Sequence, residues 1–143
     1  MAILQQKSDR LNIHSGWYGM CTEECDTYDL TATIHEWLQV GGSIFGQAPG
    51  DKLGYSVAIN SDGDRVVVGA PYWGEIVSGE EPWEYVHYDY GLVRVYELSG
   101  NTWNQIGDDI VGESPDDNSG ISVSINSAGD RVAIGATGND GSG

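Results

Sequence analysis

One phrase occurs twice in this chain. Trp37-Leu-Gln39-Val-Gly41 and Trp103-Asn-Gln105-Ile-Gly107 lie 66 residues apart, and at that offset residues 37–70 align on 103–136 without a gap. The window holds 19 identities in 34 positions, among them Ile44/Ile110, Gly46/Gly112, Pro49/Pro115 and Asp51/Asp117. It is densest where Gly54-Tyr-Ser56-Val57-Ala-Ile59-Asn60 is matched by Gly120-Ile-Ser122-Val123-Ser-Ile125-Asn126. Both copies close on Gly-Ala, at Gly69-Ala70 and Gly135-Ala136. Self-similarity at a fixed period marks a supersecondary unit that buries its apolar face against its neighbours. The chain therefore divides into an N-terminal extension, possible partial strand included, over residues 1–36, a first unit over 37–102 and a truncated second unit over 103–143.

Each unit has the periodicity of β structure. Val57 and Ile59, then Val66 and Val68, alternate with small or polar residues at period 2, the pattern of a half-buried strand. Between them Asn60-Ser-Asp-Gly63-Asp64 supplies turn residues, so 53–70 is predicted to be a hairpin. A second hairpin is predicted from Gly91-Leu-Val-Arg-Val-Tyr-Glu-Leu98 through Ser99-Gly-Asn-Thr to Trp103-Asn-Gln-Ile-Gly107, with Val93 and Val95 on one face and Arg94 and Tyr96 on the other. Four short strands in a repeat of this length make a propeller blade. The window 22–38 mixes helical spacing (Leu30, Ile34, Trp37, Leu38) with strand-favouring Thr27, Thr31 and Thr33. Its end reads as strand because Trp37 aligns with a strand residue. Residues 1–25 carry no period.

Composition narrows the function classes. Lys and Arg number 6 against 22 Asp and Glu, a formal net charge of −16. Nucleic-acid binding rests on neutralising phosphates, and attraction to an anionic membrane rests on basic residues, so both are disfavoured. No apolar run reaches the ~20 residues of a membrane-spanning helix. Aromatic residues make up 10% of the chain, too many for a disordered tail. The N-terminus lacks the basic start and apolar core of a secretory signal, so the chain either avoids that route or is a piece of a longer precursor. Cys21 and Cys25 form a lone C-x3-C spacing. With no second pair to complete a zinc site, two free thiols are preferred to a local disulfide.

These phrases resemble the FG-GAP repeat, the blade of integrin-α-type β-propellers. Leu53-Gly54 stands at the "FG" position with Leu in place of Phe, and Gly69-Ala70-Pro71 is the "GAP" signature, weakened to Gly135-Ala136-Thr137 in the second copy. Gly-Leu-Val-Arg-Val-Tyr and Trp-x-Gln-Ile-Gly-x-Asp-Ile are similar to a version of the repeat in long surface proteins of marine microbes and algae. The resemblance covers roughly residues 37–143. It implies an all-β, propeller-type architecture and an extracellular or surface-exposed role in adhesion or recognition, without implying a reaction.

The resemblance also implies a place to look for metal. Integrin-like blades carry an Asp-x-Asp-x-Asp-Gly-x-x-Asp calcium loop, and here that loop is trimmed to Asn60-Ser-Asp62-Gly-Asp64-Arg65. Asn60, Asp62 and Asp64 would be the ligands if Ca²⁺ binds. Three donors fall short of the about 6–8 that Ca²⁺ takes, and Arg65 adds an opposing charge. Ala128 replaces Asp62 in the second copy. A tight hairpin turn is the preferred reading here, and for the Asp-Asn-Gly stretches 116–120 and 138–142. No cofactor is expected.

The segment 72–90 departs from the repeat more informatively. It places Trp73, Trp83, Tyr85, His87, Tyr88 and Tyr90 within nineteen residues, a long connection for a compact domain. Loops on a rigid scaffold often carry recognition, and aromatic residues among acids suit a protein hot spot or carbohydrate stacking. The alternation of Trp83, Tyr85 and His87 with Glu84, Val86 and Tyr88 equally allows an added strand packing on a neighbouring blade, and packing is the preferred reading. Catalysis has less support. His14, His35 and His87 form no metal-ligand spacing, and the acid pairs Glu80-Glu81 and Asp108-Asp109 arise readily in so acidic a chain. The function expected is a non-enzymatic recognition, adhesion or structural module binding a protein or glycan, the alternative being a calcium-dependent or glycosidase-like hydrolytic propeller domain.

Three structural expectations follow. Val57, Ile59, Val66, Val68, Val93 and Val95 lie inside, with Val123, Ile125, Val132 and Ile134 buried equivalently. Trp37 and Trp103 occupy equivalent, largely buried positions. Two units leave sheet faces to be covered by further repeats or by self-association.

Overall fold

The computed structural model describes residues 1–14, 29–78 and 85–141, with side chains for 1–7, 36–78 and 86–141. Among these residues the chain is all β, with no helix. It forms two compact units, residues 3–40 and residues 1–2 with 41–143.

The smaller unit is a two-stranded antiparallel ribbon of β1 (Leu4–His14) and β2 (Asp29–Gln39), paired from Leu4↔Gln39 to His14↔Asp29. The absence of a period in residues 1–25 thus concealed a strand, β1. Cys21 and Cys25 lie outside the described residues. Trp37 sits in β2 opposite Gln6 and is 64% exposed, whereas Trp103 is 8% exposed, which corrects the expected equivalence. The residues before each indole give the reason. Trp103 follows Leu98-Ser-Gly-Asn-Thr102, which turns the chain so that Leu98 pairs with Trp103. At the matching positions Ala32-Thr-Ile-His-Glu36 hold no turn former, and β2 runs straight through them.

The larger unit centres on an antiparallel sheet of four strands in chain order: β3 (Ser56–Ile59), β4 (Arg65–Ala70), β7 (Leu92–Ser99) and β8 (Thr102–Val111). Both predicted hairpins are present. Between β4 and β7 the chain inserts a separate hairpin, β5 (Glu75–Ser78) paired with β6 (Tyr85–Tyr88). A further hairpin, β9 (Ser119–Ile125) with β10 (Val132–Ala136), lies against β3 and β4. The two repeats share a backbone as well as a sequence. Left-handed φ angles recur at the same offset: Lys52 (52°) and Asn118 (55°), Gly54 (93°) and Gly120 (88°), Gly63 (72°) and Gly129 (72°).

The core sits on β4 and β7. Val67, Val68, Ala70 and Val93 are wholly buried, and Val66 and Leu92 nearly so, because these central strands are flanked on both edges. Val57 and Ile59 do not join them. They are 50% and 47% exposed, since β3 is the edge strand of its sheet and their face of it is not overlaid as the core strands are. Val95 is half-buried, as are Val123, Ile125, Val132 and Ile134.

The β9–β10 hairpin meets the central sheet through a close backbone approach. A Cβ added to Gly69 would collide with the carbonyl oxygen of Gly120, which also accepts a 2.7 Å hydrogen bond from Ser56 Oγ. Backbone cannot retreat as a flexible side chain can. Replacing Gly69 with Ala is expected to destabilise the chain by about 3 kcal/mol, at the upper end of overpacking costs. Gly42 has open space around it and an ordinary φ, so Gly42→Ala should stay within about 0.5 kcal/mol. Urea denaturation of the two variants checks the contrast.

Candidate functional site

Two tight turns, each occurring once per repeat, fix the polar surface of the larger unit. In the first, Asp51 turns back on Ala48: its Oδ2 accepts from the Ala48 amide at 2.8 Å, and Asp51 itself is buried. Asp117 does the same for Ser114 at 2.9 Å. An Asx side chain that satisfies a nearby backbone N–H stabilises such a turn locally. The repeated Pro49/Pro115 and Asp51/Asp117 identities were its sequence signal.

The second turn contains the residues considered as calcium ligands. Asn60 Oδ1 accepts from the amides of Asp64 (3.1 Å) and Arg65 (3.0 Å), and its Nδ2 donates to Asp64 Oδ1 at 2.7 Å. Asn126 repeats all three bonds with Asp130 and Arg131. Asn60 Oδ1 and Asp64 Oδ1 are thus engaged in closing a hairpin, while Asp62 is exposed. Ala128 occupies the position of Asp62 in the second turn without altering its geometry. Among the described residues, no group of three or more His, Cys, Asp or Glu is placed to hold a metal ion.

The Asp51 turn forms one wall of a cleft of about 320 Å³, and the β5–β6 hairpin forms the other. Lys52, Tyr72, Glu75, Ile76, His87 and Asp89 line it. Lys52 Nζ sits 4.0 Å from the centroid of the Tyr72 ring, and Tyr55 meets that ring edge-on at 5.9 Å. A cation over an aromatic face is attracted by the ring quadrupole, so Lys52 and Tyr72 hold one another in place. The "GAP" phrase positions Tyr72: the Trp73 amide donates to the Ala70 carbonyl, closing a turn directly after β4. The base of the hairpin is tied down by the Gly91 amide, which donates to the Trp73 carbonyl at 2.9 Å.

The six aromatic-loop residues are not gathered into one site. His87 lines the cleft, paired across the hairpin with Ile76. Tyr88 pairs with Glu75 and does not line the cleft. Trp73 donates its indole N–H to Gln47 Oε1 at 3.1 Å. Tyr90 accepts from the Ser119 amide through its carbonyl, which ties the loop to β9. Tyr85 is placed in β6 by its backbone alone, and Trp83 lies outside the described residues, as do Glu80 and Glu81. The structure adds Lys52, Tyr55 and Tyr72. The sequence alone gave no signal for these, because their meeting depends on how the turn after β4 folds over the Asp51 turn.

Of the acid pair Asp108-Asp109, Asp109 is committed to a buried partner. Arg94 is 6% exposed and donates to both carboxylate oxygens at 2.6 Å, from Nε and from Nη2, and Gln105 donates to Oδ1 at 2.8 Å. The Arg94 hydrogen bonds hold the Asp109 carboxyl below its usual range; burial opposes this and Gln105 assists it. A glycosidase general acid needs the opposite shift.

No family model, no curated protein and no solved structure matches the chain.

Removing one partner of a buried ion pair strands the other charge. Asp109→Ala is expected to cost about 3 kcal/mol, while the apolar pair Arg94→Met with Asp109→Leu recovers most of it. The unfolded carboxyl titrates near about 3.9 and the folded one lower. The pair's contribution is therefore complete above the unfolded value and is lost as pH falls through the folded one. Thermal melts of the wild type and Asp109→Ala across the acid range should show their difference shrinking in that window.

Proposed function

We propose that the chain is a non-enzymatic recognition or adhesion module built of propeller-type repeats, and that a protein partner docks on its β5–β6 hairpin. Three features support the blade reading: the resemblance to FG-GAP repeats, the four-stranded antiparallel meander, and the next repeat's first hairpin lying on that meander. A surface or extracellular setting comes from the resemblance alone.

The observation that carries the docking site is the hairpin itself. It interrupts the meander between β4 and β7 and exposes Val77 (43%) and Val86 (37%), paired on one face of the ribbon, while Ile76 (65%) lies with His87 on the face that lines the cleft. An exposed cross-strand pair of aliphatic side chains rimmed by polar groups suits a protein contact surface. A glycan is the second reading. The cleft favours it, since Tyr72 offers an aromatic surface beside His87, Glu75 and Asp89. Lys52 already covers one side of that ring, which leaves less of it for sugar stacking than for a mixed polar contact.

The test compares the wild type with Val77→Asp/Val86→Asp and with Lys52→Ala/His87→Ala, on an array of surface proteins and on a glycan array, with and without EDTA. The expected result is wild-type retention by a protein, lost in the hairpin variant and unaffected by EDTA. Retention by glycans that is lost only in the cleft variant would move the site to the cleft. Retention that EDTA abolishes, or that both variants preserve, overturns the proposal.

A further inference from the structure

The contact that joins the two repeats has an unused copy of each half elsewhere on the chain. Three hydrogen bonds accompany the laying of β9 over β3 and β4. Ser56 Oγ donates to the Gly120 carbonyl at 2.7 Å, Arg65 Nη1 to the Gly129 carbonyl at 3.1 Å, and the Ser61 amide to the Ser127 carbonyl at 3.3 Å. The receiving side is the face bearing Ser56, Ala58 and Gly69, and the arriving side is the Gly120 strand with Ile121, Val123 and Ile125.

Shifted by one repeat, the receiving side becomes Ser122, Ser124, Ala133 and Gly135 on the outer face of the β9–β10 hairpin. Ser122, Ser124 and Ala133 are exposed, and beyond a single bridge from Ser119 to Gly91 the ladder partner of β9 among the described residues is β10. Gly135 is free of the backbone that crowds Gly69. A Cβ there would meet chiefly the mobile Ser122 Oγ, where the Gly69 Cβ would strike the Gly120 carbonyl oxygen. Arg131, the counterpart of Arg65, is exposed and has no ion pair among the described residues. The arriving side, shifted back, becomes Val57 (50% exposed) and Ile59 (47%) on β3, preceded by Gly54 and by Tyr55, which meets the Tyr72 ring edge-on. Its carbonyl acceptors are Gly54, Gly63 and Ser61.

The geometry points to head-to-tail association of this chain with a second copy: the β3 strand of one molecule docks on the outer face of the β9–β10 hairpin of the next. Ser122 Oγ, the Arg131 guanidinium and the Ser127 amide then donate to the carbonyls of Gly54, Gly63 and Ser61 in the neighbour. A second copy fits because both complementary halves belong to this one sequence and already fit each other once within it. The contact is heterologous, so each molecule keeps one free half of each kind and association continues into a ring or a filament. It does not involve the β5–β6 hairpin and is independent of what that hairpin binds.

Sedimentation velocity of the 143-residue chain tests this from micromolar to sub-millimolar concentration, in enough salt to screen its charge. One variant, Val57→Glu/Ile59→Glu, removes the arriving half; a second, Ser124→Glu/Ala133→Glu, removes the receiving half. All four positions are exposed, and circular dichroism and thermal melts check that each variant folds. The wild type is expected to gain mass with concentration. Each variant alone should remain a monomer, and an equimolar mixture should form a one-to-one dimer at twice the 15.4 kDa chain mass. A wild type that stays monomeric throughout, variants that associate as the wild type does, or a mixture that stays monomeric overturns the inference.

Discussion

The larger unit depends on two backbones coming closer than side chains permit. Gly69 lies under the Gly120 carbonyl, and the Cα of Gly69 would be 3.2 Å from a Cβ built on Gly120. At that separation the hydrogen bond from Ser56 Oγ, two residues beyond Gly54 in the first repeat, reaches across to the second. The residues that mark the ends of a repeat in sequence thus meet where consecutive repeats touch. Their spacing places Val93 and its neighbours on β4 beneath β9, which helps explain why the central strands are dry on both faces while the edge strands are not.

Polar groups reinforce the same joint. Arg65 donates from Nε and Nη2 to Glu97 on β7 while its Nη1 reaches Gly129, so one guanidinium ties two strands of the sheet to the turn of the next repeat. Arg94, one strand over, is withdrawn from solvent and matched by Asp109. In a chain this acidic, two of the few cations are placed inside or between sheets rather than spread over the surface. The planar fork of Arg, with several donors in fixed directions, suits both positions better than a Lys ammonium would.

Much of this was legible from the repeat. An ungapped offset requires equivalent backbone, and Gly54, Gly63 and their counterparts take matching φ angles because the same turns recur. Period-2 alternation located β3, β4 and β7. Legibility ended where a residue's setting depends on what lies over it. Val57 and Ile59 have the same local pattern as Val123 and Ile125 but differ in burial, because only the second pair has a sheet beneath it. Trp37 shares its phrase with Trp103 yet not its turn. In the candidate site, His87 was found by composition, whereas the Lys52–Tyr72 pair arises from two turns distant in sequence, and no local periodicity encodes such a meeting.

The Asn60 turn also bears on how the protein ages. Asn-Ser sequences deamidate when the amide nitrogen of the following residue attacks the side-chain carbonyl carbon, which requires that side chain to swing back over its own backbone. Asn60 and Asn126 each precede a Ser, and each side chain is held by two amides on its oxygen and a carboxylate on its nitrogen. The clamp that closes the hairpin therefore also keeps the reactive geometry out of reach. Were the conversion to occur, the new carboxylate would face Asp64 or Asp130 across a bond that had a donor, and two negative charges would meet where the turn is tightest. Chemical wear at these two residues should accordingly begin only in molecules whose hairpins have already opened.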